Sequence, residues 1–333
     1  MADIIWREVH EGGSPEAERE IFLSLARDML AIQEANRVKS GAGHPGRTLH
    51  AKMVAGVTNA VLTVDDALPE SFAASYFRPG TSISATVRFS NASGIAQADG
   101  APDMRGAALK LAAPGGPHDL LMTSFPVSHA RNARQFVEFA VIASGGRETM
   151  AARLTEKFGD AETRRMMANI MQGMAPCPSL ALQRFWSRGA VLWAGRPVRF
   201  DLRPAPGAEP AISRDDGSDS LRSEFAARLS RDDVTYRLAL QPFVDEETTP
   251  IEDGSVEWRE EISAPVEVAS LVIPRQDLLD AAGRAQAEIV DGLAFNPWNA
   301  PPEFRPLGNL NRARGAVYGA SAQAWQASRK SIP

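Results

Sequence analysis

Apolar and polar positions change their period several times along the chain, and the changes mark out its elements. Across residues 15–39, Ile21, Leu23, Leu25, Ala26, Leu30 and Ile32 recur among charged residues. Ser14 stands ahead as a cap and Pro15 opens the first turn, so this segment predicts an amphipathic helix. The glycine-rich run 40–46, which contains His44, breaks that pattern and reads as a solvated loop. Strand-like alternation follows in residues 51–64 and 82–90, and the apolar runs 107–112 and 120–123 have strand length. Helical spacing returns in 132–144 and 147–174. Strand signals resume in 191–203, 233–241, 255–261 and 266–273, the last of them stopped by Pro274. Two helix candidates close the chain, 276–290 and 310–328. The polar stretch 204–220, with its prolines and glycines, reads as a connection within one domain, and there is no internal repeat. Many strands joined by long connections, without a βαβ rhythm, predict an α+β protein built on an antiparallel barrel with helices outside it. A single domain spanning 1–333 follows, with a helical arm at one end and a helix at the other.

Composition narrows the class only a little. With 333 residues, 44% of them hydrophobic and 23% charged, the chain can bury a sizeable core. A net charge of -5 argues against nucleic acid or an anionic membrane as the main partner. No apolar run approaches a membrane span, and the N-terminus lacks a signal-peptide layout, so a cytoplasmic location is expected. The lone Cys177 leaves no intramolecular disulfide or cysteine-based cluster. Its proline-flanked setting, Pro176-Cys177-Pro178, reads as a loop and not as a thiolate ligand.

The most suggestive chemistry lies near the end, where Phe295-Asn296-Pro297-Trp298-Asn299 leads to Arg312-Ala313-Arg314-Gly315-Ala316-Val317-Tyr318-Gly319. On a helix, Arg314 and Tyr318 share one face. A guanidinium against a phenol oxygen favours the phenolate, a hard anionic ligand for iron. Alone, such a pair is ordinarily packing or a surface contact. Gly315 and Gly319 beside it would let a flat macrocycle approach the helix closely.

Four segments of the first half keep company with that pair: Arg47-Thr48-Leu49-His50, Val87-Arg88-Phe89-Ser90, Asp103-Met104-Arg105-Gly106 and Met122-Thr123-Ser124-Phe125-Pro126. In this order and spacing, from about residue 47 to 328, the chain resembles the haem-dependent catalase family. The likeness is nearest to the short catalase-related peroxidases, since the sequence stops soon after the tyrosine helix. The resemblance implies an eight-stranded antiparallel barrel and haem b held between a barrel face and the last helix. It implies Tyr318 as the axial iron ligand, held as phenolate by Arg314. His50 matches the histidine that moves a proton between the two oxygens of a peroxide, a task suited to a pKa near neutrality. Ser90 matches the serine that fixes the imidazole tautomer. Arg47 and Arg88 match arginines that pair with haem propionates, and Phe136 matches a phenylalanine packed on the haem face. Each has a plain alternative: a strand serine, surface arginines, a core phenylalanine. Asp103 to Gly106 resembles a structural turn, with no catalytic role for Arg105.

Departures from the family pattern shape the expected activity. The distal asparagine aligns with Ser124, a shorter and more mobile donor. Ser128 and His129 stand where bulky aromatics narrow the catalase pocket, and Trp325 replaces an arginine whose role Arg329 would take over. These changes imply a haem peroxidase that uses hydrogen peroxide or an organic hydroperoxide to oxidise a small organic molecule, with weak catalase activity. A hydroperoxide-transforming enzyme similar to the catalase-like allene oxide synthases, a biosynthetic tailoring enzyme, and a non-catalytic haem carrier or sensor remain as alternatives. The expected partners are peroxide and a small-molecule substrate. A homo-oligomer stays open.

Overall fold

The computed structural model describes residues 5–43, 46–212 and 217–330, the side chains of Arg147 and of 326–330 excepted. His44, part of the 204–220 connection and the Arg329 side chain therefore lie outside the described part.

Among the described residues, nine strands form one antiparallel sheet: β1 (Met53–Val64), β2 (Ser82–Asn91), β3 (Arg105–Ala113), β4 (Gly116–Thr123), β5 (Phe185–Ser187), β6 (Val191–Trp193), β7 (Arg196–Pro204), β8 (Val234–Pro242) and β9 (Val266–Ile273). Their order is β5-β4-β3-β2-β1-β9-β8-β7-β6. Pairing of Phe185 with Leu202 and of Trp186 with Asp201 joins β5 to β7 and closes eight strands into a barrel. The remaining strand, β6, is a hairpin partner of β7 across a turn where Ala194 and Gly195 both adopt positive φ. Closure removes the open edges that would otherwise invite pairing with other chains.

Strand alternation sends one side of each strand inward, where Leu62, Phe89, Leu109, Leu120, Phe185, Leu202 and Tyr236 are fully buried. Each such side chain contributes roughly 1.5–3 kcal/mol. Phe89 meets Phe185, Phe225 and Tyr236 at ring-centroid separations of 5.6, 5.3 and 6.0 Å. Phe225 comes from α5 (Ser220–Leu229), a helix the sequence pattern does not announce because seven of its ten residues, the charged Glu224 and Arg228 included, are buried.

Helices lie outside the barrel. The first, α1 (Pro15–Ser40), is capped by Ser14, whose hydroxyl accepts from the Ala17 N–H, and stops at Gly41 in the left-handed conformation. It packs with α2 (Ala133–Ser144) and α7 (Asn309–Lys330) through Phe22, Leu25, Met29, Val137 and Ala313. The predicted helix 147–174 is two helices, α3 (Arg147–Phe158) and α4 (Asp160–Gly173), broken at Gly159 with φ 78°. In place of the helix from 276, α6 (Ala281–Asp291) begins where Asp280 caps the Gly283 N–H. Residues 255–261 are irregular and not a strand. There Trp258 is buried with its Nε1 donating to the Pro250 carbonyl, while Gln241 Nε2 donates to the Trp258 carbonyl, so side chains replace a ladder. Asp103–Gly106 is not a turn throughout, since Arg105 and Gly106 already belong to β3. Among the described residues no helix is long and apolar enough to cross a membrane.

Candidate active site

A row of three residues across neighbouring strands forms the floor of the site. Ser90 on β2 pairs with Gly106 on β3, and Gly106 pairs with Thr123 on β4. Gly106 has no side chain to hold His50 off the sheet: a Cβ there would lie 2.6 Å from His50 Nδ1 and 2.8 Å from Ser90 Oγ. The imidazole therefore rests on the strand, with Nδ1 and Ser90 Oγ 3.0 Å apart. His50 has φ 58°, a left-handed conformation that costs a non-glycine residue of order 1–3 kcal/mol. Its N–H donates to the Ala92 carbonyl at 2.9 Å and its carbonyl accepts from Arg88 Nη2 at 3.0 Å, which hold that conformation in place. Burial pushes the imidazole down to about 3, and the guanidiniums of Arg88, Arg188, Arg314 and Arg47 add to the shift. At neutral pH His50 is a neutral base.

Arg88 is buried, not a surface arginine, and its Nε has no partner. Arg47 is half-buried. Both reach one carboxylate, Asp291 at the end of α6, at 3.2 Å from Arg47 and 3.4 Å from Arg88. Arg47 also lies over the Trp325 ring at 5.8 Å, and Thr48 Oγ1 is 3.3 Å from Ser321 Oγ. These contacts bring the segment before His50 against α7, beyond Tyr318.

On α7, Arg314 Nη2 donates to Tyr318 Oη at 3.2 Å, and the guanidinium carbon lies 5.1 Å from the phenol ring centre. Asn311 braces this pair: its Oδ1 accepts from Arg314 Nη1 at 3.0 Å and its Nδ2 donates to the Ala190 carbonyl at 2.8 Å. The two glycines differ. Gly315 is covered by Trp298, whose Nε1 would be 2.9 Å from an added Cβ, so it serves protein packing and not a ligand. Gly319 faces open space.

The other expected residues fall elsewhere. Ser124 lies one residue beyond the row, and its hydroxyl accepts from the Arg105 N–H at 2.8 Å. By strand alternation Thr123, the cross-strand partner of Gly106, shares the face of His50. Phe136 packs in the α1–α2–α7 cluster with Ala316 and Val317, and stacks 4.9 Å from His129. Ser128 and His129 are both buried and do not widen a pocket. His129 is wedged between Phe136 and Phe139 with neither ring nitrogen partnered. Arg188 escaped the sequence reading altogether. It is tethered to the Val127 carbonyl and the Met104 sulfur, and burial together with Arg314 lowers its guanidinium to about 10. It lines one small cavity with Arg314 and Asn311. No local motif marks it, because its neighbours come from distant segments.

Comparison with known proteins bears on the fold. Residues 21–158 match the family model described as Catalase. Over that span, under half of its length, the chain is similar to catalases, and as a whole it has their fold. A fungal catalase superposes with a TM-score of 0.65 at 17% identity over 87% of this chain and 60% of its own. For a bacterial catalase the values are 0.64, 16%, 84% and 57%. At these identities the likeness is one of fold, and the chain spans about three fifths of the length of either neighbour. No curated protein sequence matches.

The residues of this site suit a haem. Tyr318 offers an oxygen ligand beside a guanidinium, His50 lies on a glycine floor with Nδ1 within hydrogen-bond distance of Ser90 Oγ, and the orphaned Nε of the buried Arg88 calls for an acceptor. The space where a Gly319 side chain would stand, one residue from Tyr318, is open.

Proposed function

We propose that the chain is a haem b-dependent peroxidase of the catalase-related type, acting on hydrogen peroxide or an organic hydroperoxide and oxidising a small organic molecule. The observation that carries this reading is His50, held in a costly backbone conformation so that a neutral imidazole lies on Gly106 and against Ser90. Haem binding alone needs no such base. A haem would supply iron for cleavage of the peroxide bond, with Tyr318 as its ligand. The chain's own residues do the rest. With Nδ1 engaged by Ser90, His50 takes a peroxide proton at Nε2 and returns it to the departing oxygen, which leaves as water from hydrogen peroxide or as the alcohol from an organic hydroperoxide. Arg314 stabilises the phenolate of Tyr318, while Arg47 and Arg88 supply charge for propionates, with Asp291 as the competing carboxylate.

Thr123 gives a short hydroxyl on the His50 face, and Ser124 one residue beyond it, where an amide would be a fixed donor. Dismutation is accordingly slow relative to oxidation of a co-substrate. The test is an absorbance spectrum of the purified protein, followed by turnover of hydrogen peroxide, an alkyl hydroperoxide and a lipid hydroperoxide with and without an electron donor. A ferric high-spin phenolate spectrum and donor-dependent turnover are expected. Donor-independent conversion of the lipid hydroperoxide would replace this reading with hydroperoxide rearrangement. A bound haem without turnover of any peroxide would leave a carrier or sensor.

A further inference from the structure

A second buried cation lies away from His50, on the outer side of the barrel. Along β7, Phe200 and Leu202 point into the core, so Arg199 and Asp201 point outward. The irregular segment around Trp258 covers Arg199 and leaves a cavity of about 50 Å³. Arg184, Trp186, Ser187 and Glu257 line it as well.

The charges around this cavity do not balance at Arg199. Asp201 is paired with Arg184 at 2.9 Å and with Arg203 at 2.6 Å, and Glu260 with the same two arginines at 2.6 and 3.3 Å. Arg199 is 6% exposed, and among the described residues no carboxylate comes within ion-pair distance of it. Its Nη1 donates to the Val256 carbonyl at 2.9 Å, its flat face lies 4.7 Å from the Trp258 ring centre, and its Nε is buried without a partner. Burial lowers the guanidinium to about 9, although Asp253 and Glu257 draw it back from a distance. Water could satisfy Nε but not the charge. A second donor is at hand: Ser187 Oγ accepts from the Phe200 N–H at 3.1 Å and keeps its own proton to give.

We infer that this cavity binds a planar, singly charged oxyanion of acetate size, held by Arg199 through its Nε edge and by the Ser187 hydroxyl. The shape follows from the donor, since a guanidinium edge pairs with two oxygens in one plane. The size follows from the volume, because a water-sized position takes about 10–15 Å³, leaving room for about four heavy atoms. A short carboxylate and an inorganic ion such as bicarbonate or nitrate share this chemistry. The site is independent of the proposed haem chemistry, and its test does not read turnover.

The experiment is calorimetric titration and thermal melting of the purified protein with acetate, bicarbonate, nitrate and hexanoate, alongside the Arg199→Gln and Arg199→Lys variants. One small anion per chain is expected, with a raised melting temperature and an unchanged visible spectrum. Hexanoate should bind at least tenfold more weakly. Arg199→Gln should weaken binding at least tenfold, and Arg199→Lys, which keeps the charge but loses the edge, at least fivefold. Tightest binding by acetate identifies a carboxylate site, and tightest binding by bicarbonate or nitrate an inorganic one. Should a variant not fold, a crystal of the wild type grown with the tightest anion reads the site directly, as density within hydrogen-bond distance of Arg199 Nε. No binding of any anion, equal binding by the variants, or an anion seen elsewhere overturns the inference.

Discussion

At the scale of single residues, the site rests on how a few polar atoms are held. His50→Ala should retain haem while peroxide-driven oxidation falls by about 10²-fold or more, the usual scale for a positioned acid–base group. Wild-type turnover in that variant would remove His50 from the reaction. Tyr318→Phe should lose haem or change its spectrum grossly, because a benzyl group offers no ligand atom, and an unchanged spectrum would exclude the residue as ligand. Thr123 and Ser124 can be told apart by the same logic. Thr123 faces His50 across Gly106, with its hydroxyl donating to the Phe125 carbonyl at 3.3 Å, whereas Ser124 lies one residue further on and accepts from the Arg105 N–H. Thr123→Asn should therefore raise oxygen release from hydrogen peroxide more than Ser124→Asn does. About 1.4 kcal/mol of added stabilisation is a tenfold effect. A larger gain in the Ser124 variant would return the donor role to Ser124. The pairing of Arg314 with Tyr318 was legible from spacing, and that of His50 with Ser90 only from the resemblance to catalases. The side of the strand on which Thr123 stands was not, since it depends on pairing with a strand far away in sequence.

At the scale of elements, Gly106 and Arg312 show what holds the site together. Gly106 is fixed by ladders on both sides, so a methyl group placed there must push the His50 ring and Ser90 aside. Gly106→Ala should cost about 1–3 kcal/mol in urea unfolding and lower peroxidase turnover at least tenfold with haem content intact. Unaltered turnover would show that His50 does not need its seat on β3. Arg312 ties the start of α7 to the N-terminal region through Glu8 at 2.9 Å and Glu18 at 2.7 Å, and to the segment between β8 and β9 through Glu252 at 3.0 Å. Burial alone would raise the Glu18 carboxyl, but hydrogen bonds from Arg312, His10 and the Glu11 N–H outweigh it and bring it down to about 2. Its contribution is complete above the ordinary carboxylate range and is lost as pH falls toward 2. Arg312→Met should destabilise the protein by about 3 kcal/mol, because it leaves the buried Glu18 carboxylate with His10 alone beside it. The helices α1, α2 and α7 were readable from their period, whereas α5 and the break at Gly159 were not. A helix buried on nearly every side has no polar stripe to reveal it.

For the whole molecule, acid sensitivity follows from histidines enclosed as neutral groups. Burial lowers His118 to about 4, and burial with the Arg188 and Arg165 charges lowers His129 to about 3. Below the ordinary imidazole pKa the unfolded chain takes up protons that the folded chain refuses. Stability is thus complete above about pH 6.5 and falls on acidification toward 4, by up to about 1.4 kcal/mol per pH unit for each histidine. His129→Leu should flatten that slope and, by removing two unpartnered nitrogens from between Phe136 and Phe139, raise stability at pH 5. Urea unfolding between pH 4 and 7 measures both effects, and an unchanged slope would mean that His129 is not the neutral, enclosed group described. By itself the sequence determined the barrel class, the outer helices and the Arg314–Tyr318 pair, because periodicity and i,i+4 spacing are local properties of the chain. Closure of the barrel through the three-residue β5, the seat of His50 on Gly106, and the isolation of Arg188 and Arg199 were decided by the tertiary structure. Strand pairing and the loss of solvent around a charge arise from contacts between segments far apart in sequence, and no local pattern encodes them.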